Sequence, residues 1–417
     1  MDNNINIKQL FTPNISGNLV KNTKGDRVIW GIVVILTLIS LLVVYSSTGS
    51  LAYKYSKSTE SYLFKQVAFI TLGLLIIYFA HRVNYTIYSK VAKWLFLFSI
   101  PLLIYTLFFG AKLNEGSRWI KLPVINMTFQ TSDLAKLALF MFLSRQLSRS
   151  QAYIKNFKKG FLPLIIPVGI ICMLIAPANL STALLIGGTS FMLMFIGRVN
   201  TKHILLTLVI AVIPIVFLFT LAISSYDKKT HTAKDLPSVF SVGRIPTWVS
   251  RIQTFMYGSS SEDNEKLYQI NQAKIAVAKG GLFGKGPGNS EQRNFLPHSY
   301  SDFIYAIIIE EYGLMGGAFM VFIYLLFLYR CIRLYRKCPY AFGAFLALAL
   351  SFTLVIQALA NMGVAVGAFP NTGVTLPLVS MGGSSFLFTC LSIGIILSVA
   401  RNVEQQEGKE VLVTTEQ

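Results

Sequence analysis

Three of the 18 acids in the 417-residue chain, Asp302, Glu310 and Glu311, fall in or beside one apolar stretch, the FIYAIIIEEYG run that begins at Phe303. A carboxylate at membrane depth costs roughly 2.5–3.5 kcal/mol, so each must face a partner or a polar cavity. Asp302 has two readings. It is a cap for the helix that follows, accepting backbone N–H groups, or it works chemically beside the glycine-rich turn GGLFGKGPGNS that precedes it. That turn and the residues after it contain Lys285, Ser290 and Arg293 and offer backbone donors of the kind that hold phosphate. A carboxylate near a phosphate accepts a proton from a hydroxyl nucleophile or holds a divalent cation, Mg or Mn. The turn has the wrong spacing for a Walker A loop. Glu310 lies on nearly the same helical side as Asp302, and with Glu311 it reads first as a buried structural pair satisfied by an arginine or by hydroxyls.

Two further sites carry charge in apolar surroundings. Asp133 and Lys136 are one helical turn apart, the spacing of an intrahelical ion pair; inside a membrane such a pair faces a cavity. Arg118 stands next to Trp119, either as an interfacial anchor or as a cation for an anionic substrate. The four histidines are scattered and the four cysteines lack metal-type spacing, which argues against a metal cluster; nothing suggests an organic cofactor.

These groups must be positioned by membrane helices. The chain is 53% hydrophobic, only 13% charged, and has a mean hydropathy of +0.58. That composition describes an all-α polytopic membrane protein. Segments near the required length of about 20 apolar residues number about ten: roughly 28–47, 62–80, 94–110, 131–147, 161–175, 180–197, 204–224, 303–329, 341–363 and 383–400. The net charge of +19 is concentrated in alternate loops, at Arg82, Lys90 and Lys93, at Arg145 to Lys159, at Arg198 and Lys202, and at Arg330 to Lys337. By the positive-inside rule these loops and both termini are cytoplasmic. The basicity then belongs to membrane topology, not to nucleic acid.

The organisation expected is a cytoplasmic segment over 1–27, a ten-helix membrane domain over 28–401, and a cytoplasmic, poorly ordered tail over 402–417. Residues 225–302 form a large extracytoplasmic loop between the seventh and eighth spans, with amphipathic helices at the membrane surface. The outer stretch 111–130 is expected as a loop. Residues 369–385, rich in Pro, Gly, Thr and Ser at membrane depth, must line a cavity or be buried in protein.

Several segments, in order, resemble the SEDS family of cell-wall polymerases, its septal FtsW branch more closely than its RodA branch: GSRWI around Arg118, FQTSDLAKLAL from Phe129, YQINQAKIAVAKGGLFGKGPGNS from Tyr268, LPHSYSDFIYAIIIEEYGLMGG from Leu296, and QALANMGVAVGAFPNTGVTLPLVSMGGSS from Gln357. The resemblance implies polymerisation of lipid II into peptidoglycan strands for septal wall synthesis at the outer face of the bacterial inner membrane, with release of undecaprenyl pyrophosphate. It implies Asp302 as the catalytic aspartate, Arg118, Lys285, Arg293 and Ser290 as substrate contacts, and Asp133, Lys136, Glu310, Glu311 and Asn361 as structural or cavity residues. It also implies a class B penicillin-binding protein (an FtsI-like transpeptidase), other division proteins and membrane lipids as partners. The family's His-Thr before the aspartate is Tyr300-Ser301 here, so no flanking histidine is essential. A lipid II flippase or transporter, and a non-enzymatic division scaffold, stay open as alternatives on the residues alone.

Overall fold

The computed structural model describes residues 25–48, 59–113, 116–122, 127–227, 232–233, 245–257, 264–296, 299–370 and 372–415. Most of the expected N-terminal segment, much of the loop over 225–302, and His298 just before the Asp302 segment lie outside the described residues.

Helices stand at all ten expected spans: α1 (Arg27–Ser47), α2 (Thr59–Arg82), α3 (Tyr85–Phe109), α4 (Thr131–Arg149), α5 (Leu162–Ile175), α6 (Leu180–Ile196), α7 (Thr201–Ser224), then, after two helices in the long loop, α8 (Ile245–Tyr257) and α9 (Asn264–Gly280), the last three, α10 (Ile304–Lys337), α11 (Ala341–Ala365) and α12 (Ser384–Thr415). Eight are long and apolar enough to cross a membrane by those measures alone, α5 being counted together with the π-helical turn Phe157–Phe161 that leads into it. The other two are α6, which is apolar but has only 17 residues, and α4, which carries Asp133, Lys136, Arg145 and Arg149. The chain is a multi-pass membrane protein.

Four boundaries differ from expectation, one being the end of α10, which runs on to Lys337 instead of stopping near 329. Helix α3 begins at Tyr85, well before Trp94, because Asn84 caps it by accepting from the Thr86 N–H at 3.1 Å, while Lys90 and Lys93 lie on its exposed side. Helix α12 continues past Ala400 to Thr415, since its sequence beyond Asn402 is mostly helix-tolerant, with only Gly408 against it. The stretch 111–130 is no loop. It folds into an antiparallel sheet of β1 (Ala111–Leu113), β2 (Gly116–Leu122) and β3 (Met127–Gln130), whose last strand runs straight into α4.

Helix α11 is the centre of the bundle, with almost every residue from Phe342 to Val355 buried, and it packs against α10, α4, α6 and α12. Helices α2 and α12 approach closely through small residues: a side chain at Gly394 would meet the Ala80 Cβ at 2.6 Å, and one at Gly73 would meet the Cys390 sulfur at 2.6 Å. Helix α7 lies at the periphery, and only near its C-terminal end do Leu218, Leu221 and Ala222 pack, with Val249 and Ile252 of α8, into a second small core. At the end of the bundle expected to be cytoplasmic, Asp26 caps α1 and also grips the Arg330 guanidinium at 2.6 and 2.9 Å. The Gly25 N–H donates to Glu404 at 2.6 Å, and Arg401 donates to the Arg82 carbonyl at 2.9 Å.

Helix α10 is broken at Gly313, whose φ of 70° and ψ of −174° suit glycine alone. A break inside a membrane span strands backbone groups that no water can satisfy, at a cost of several kcal/mol each. The glycine-rich turn fills it. Lys285 N and Gly286 N donate to the Glu310 and Glu311 carbonyls, both at 2.9 Å, and the Gly281 and Leu282 carbonyls accept from Leu314 N at 2.9 Å and Met315 N at 3.2 Å. Two of the donors expected to cradle phosphate are therefore engaged by the protein's own backbone. The approach is so close that a Cβ on Gly284 would fall on the Glu311 carbonyl, and one on Gly313 on the Leu282 carbonyl. Gly281 also has positive φ but nothing within 4 Å of its Cβ position. Gly284→Ala and Gly313→Ala are thus expected to lower the thermal midpoint of the detergent-solubilised chain by several degrees, while Gly281→Ala, which costs about 1 kcal/mol for its φ alone, lowers it least. Equal losses at the three positions would refute the latch.

Candidate functional site

Asp302 stands just outside α10. The helix starts at Ile304, and its cap position is occupied by Phe303, not by Asp302. Its backbone is tied down on both sides. Asn361, buried on α11, donates through Nδ2 to the Asp302 carbonyl at 2.9 Å and to the Val374 carbonyl at 2.7 Å. Ser380 donates to the Ser301 carbonyl at 2.6 Å, and Met381 N to the Tyr300 carbonyl at 3.0 Å. The irregular stretch before α12 therefore forms a wall against the Tyr300–Asp302 segment, meeting the requirement that such backbone be buried in protein or line a cavity.

Arg118 reaches the same wall from the sheet. Between β1 and β2 the register passes from Ala111 opposite Trp119 to Lys112 opposite Ser117, which leaves Arg118 as the extra residue of a bulge. A bulge bends its strand and re-aims one side chain. The guanidinium donates through Nε to the Ala178 carbonyl at 2.9 Å and has its carbon 5.9 Å from the centre of the Trp119 ring. The decisive geometry is at Gly373, where the position a Cβ would occupy lies 3.6 Å from an Arg118 terminal nitrogen and 3.6 Å from Asp302 Oδ2. Arg118 and Asp302, 184 residues apart in the sequence, thus border one small space that a side chain at 373 would invade.

The Asp133–Lys136 pair lies behind this wall. Lys136 Nζ is 3.3 Å from Asp133 Oδ1 and 2.9 Å from Gln357 Oε1, and Gln357 passes the connection on by donating to the Thr375 carbonyl at 3.0 Å. Gln357 and Asn361, four residues apart on one face of α11, hold Thr375 and Val374 in turn. A cavity of about 40 Å³ lined by Gln130, Asp133, Lys136, Thr182 and Gln357 abuts Gly373 from this side, roomy enough for water.

The remaining candidates form a separate cluster around the broken helix. Glu310, fully buried, accepts from Ser290 Oγ at 2.5 Å and from the Glu291 and Gln292 N–H groups at 3.2 Å, with Lys285 Nζ 3.8 Å away. Glu311 accepts from the Ser46 hydroxyl, and Arg293 donates to the Ser46 carbonyl at 3.0 Å and to its hydroxyl at 3.2 Å. The structure therefore brings Asp302 and Arg118 together, gives Ser290, Lys285 and Arg293 protein partners, and surrounds both glutamates with the hydroxyls and cations expected of a structural pair. Sequence reasoning overlooked Gly373 and Ser380 as site residues. Two amides four residues apart in an apolar helix, Gln357 and Asn361, were the available signal for the wall.

Outside the spans, Glu291 is clasped by Lys279 at 2.6 Å and Lys285 at 2.8 Å, and the two ammonium groups hold its carboxyl at about 2, down from 4.5. A depressed carboxyl adds stability above its unfolded value and loses it as pH falls toward the folded one. The difference in thermal midpoint between the parent and Glu291→Gln is therefore expected to be constant near neutrality and to close between pH 4.5 and about 2, more weakly in high salt because the carboxylate is exposed. A gap independent of acid would exclude the clasp.

Among the described residues no three His, Cys, Asp or Glu side chains gather in a way that would hold a metal by themselves. The chain matches a family described as FTSW_RODA_SPOVE, cell cycle protein, over residues 26–405. It is 31% identical over 381 residues to a protein of Hydrogenovibrio crunogenus named probable peptidoglycan glycosyltransferase FtsW, covering 90% of this chain and 91% of that one. It is also 31% identical over 388 residues to stage V sporulation protein E of Bacillus subtilis, covering 91% and 98%. Its fold aligns with a chain from the structure described as "Structural coordination of polymerization and crosslinking by a peptidoglycan synthase complex", at a TM-score of 0.69 and 22% identity, over 91% of this chain and 99% of that one. A family match over nearly the whole bundle, with two relatives above 30% identity, has one meaning: this chain belongs to the FtsW/RodA/SpoVE family.

Proposed function

We propose that the protein is a peptidoglycan glycosyltransferase that polymerises lipid II into glycan strands for septal wall synthesis and releases undecaprenyl pyrophosphate. The observation that carries this reading is the approach of Asp302 and Arg118 to the same space at Gly373, together with the name borne by the Hydrogenovibrio relative. Sugar transfer from a pyrophosphate needs a base for the attacking hydroxyl and positive charge on the leaving group. Asp302 takes the proton of the acceptor's sugar 4-hydroxyl; that oxygen bonds to the anomeric carbon of the donor with inversion; the bond from that carbon to the pyrophosphate breaks, and Arg118 stabilises the charge left behind.

One carboxylate beside a pyrophosphate suits Mg²⁺ or Mn²⁺, which are held by one or two carboxylates together with substrate phosphates, and such an ion would supply further charge neutralisation. Asn361 is a positioning residue that fixes the Asp302 carbonyl against the opposite wall, while Lys285, Arg293 and Ser290 keep the glycine-rich turn and the broken helix in register. The site would lie on the outer face of the bacterial inner membrane, with both termini cytoplasmic. A class B penicillin-binding protein would cross-link the strands, as the description of the aligned complex suggests for its own chains.

The full chain, purified with its transpeptidase partner and supplied with lipid II, is expected to make glycan chains. Asp302→Asn should lower the rate at least 100-fold, the scale of acid–base catalysis, and Asn361→Ala about tenfold with little change in lipid II binding. Lipid movement without polymer would instead support a flippase, and an Asp302→Asn variant with the parent's rate would end this reading.

A further inference from the structure

Among the well-formed cavities, a groove of about 120 Å³ between α6, α7 and α8 is unlike the polar one behind Gly373. Its apolar walls include Leu184, Leu218, Phe219 and Trp248, and two arginines, Arg118 from β2 and Arg251 from α8, line it as well. Leu184 is 46% and Phe219 39% exposed. Both belong to membrane helices, so the apolar wall is continuous with the surface that faces lipid. Helix α7 presents further exposed apolar side chains, such as Leu205 and Ile213, to the same bilayer.

We infer that this groove holds the prenyl chain of the donor substrate, with Arg251 and Arg118 sharing its pyrophosphate. The inference rests on the glycosyltransferase reading above and says which of the two lipid-linked substrates lies where. In the donor the pyrophosphate is bonded to the reacting anomeric carbon. In the acceptor the reacting 4-hydroxyl is on the far sugar, a disaccharide away from its pyrophosphate. Arg118 borders the space of Asp302 and also lines the groove, so a pyrophosphate on Arg118 is the one next to the bond that breaks. A diphosphate carries enough charge for two guanidiniums, and arginine's planar fork suits phosphate oxygens. The cavity around Asp133, about 40 Å³ and lined largely by polar residues, already pairs its acid with Lys136 at 3.3 Å and suits neither a hydrocarbon chain nor a second anion.

The test measures binding without turnover. The full chain is placed in phosphatidylcholine nanodiscs and titrated with dansylated undecaprenyl pyrophosphate in the absence of acceptor, with unlabelled undecaprenyl pyrophosphate, phosphatidylglycerol or inorganic pyrophosphate as competitors. Arg251→Gln is expected to weaken binding about tenfold, the loss of one charge-assisted contact, and Arg251→Lys by less. Leu184→Trp, which fills the groove, should also weaken it about tenfold, whereas Val216→Trp, at a position of α7 that does not line the groove and is 53% exposed, should leave it unchanged. Phosphatidylglycerol and inorganic pyrophosphate should compete poorly. Equal competition by phosphatidylglycerol would mean an ordinary lipid contact, and parental affinity in Arg251→Gln or in Leu184→Trp would each overturn the assignment. Because nothing is polymerised in this assay, failure here is separable from a failure of Asp302→Asn to stop polymer formation.

Discussion

The architecture depends on the backbone exchange between the glycine-rich turn and the break in α10. A membrane span cannot be interrupted unless something else meets its freed carbonyl and amide groups, and here four hydrogen bonds from residues 281–286 do so. The price of that exchange is glycine at both faces of the contact, because a Cβ on either side would occupy its neighbour's carbonyl. What is gained is rigidity at the mouth of the bundle. Helix α9, whose buried face is Ala273, Ala276 and Gly280, is drawn flush against α10. The segment from Ser290 onward is pinned to Glu310 as it turns back toward Asp302.

The Asp302 segment is then held in place by contacts to its main chain. Asn361, Ser380 and Met381 between them fix three successive carbonyls, those of Tyr300, Ser301 and Asp302. Pre-organisation of this sort lets a site stabilise developing charge without reorganising at the moment of reaction. The Lys136–Gln357–Thr375 chain supports the same wall from behind. The buried ion pair thereby acts on the site through positioning, a use of buried charge that does not require it to add net stability.

The arrangement also separates two jobs that the sequence places next to each other. Lys285, Ser290 and Arg293 directly precede Asp302 in the chain, yet their side chains serve Glu291, Glu310 and Ser46. Arg118, which comes from a distant strand, borders the space of Asp302. Sequence proximity to a carboxylate says little about who shares its cavity when a broken helix intervenes.

Much of the fold could be read from composition and periodicity, because a bilayer demands long apolar segments and the chain displays them at eight of the ten helix positions; Asp302 and the Asp133–Lys136 pair stood out for the complementary reason that polar groups in such segments are expensive. The two glutamates were legible as buried acids in need of partners, and Ser290 and Ser46 donate to them. Other features were settled only in three dimensions. The bulge at Arg118 depends on how β1 registers against β2, the break at Gly313 depends on a turn about 30 residues upstream being available to fill it, and the meeting at Gly373 depends on three elements packing around α11. Hydropathy is a property of each segment by itself, so the sequence determined which segments enter the membrane; backbone satisfaction and cavity shape belong to pairs of segments remote in the chain, so only tertiary structure decided which charge faces which.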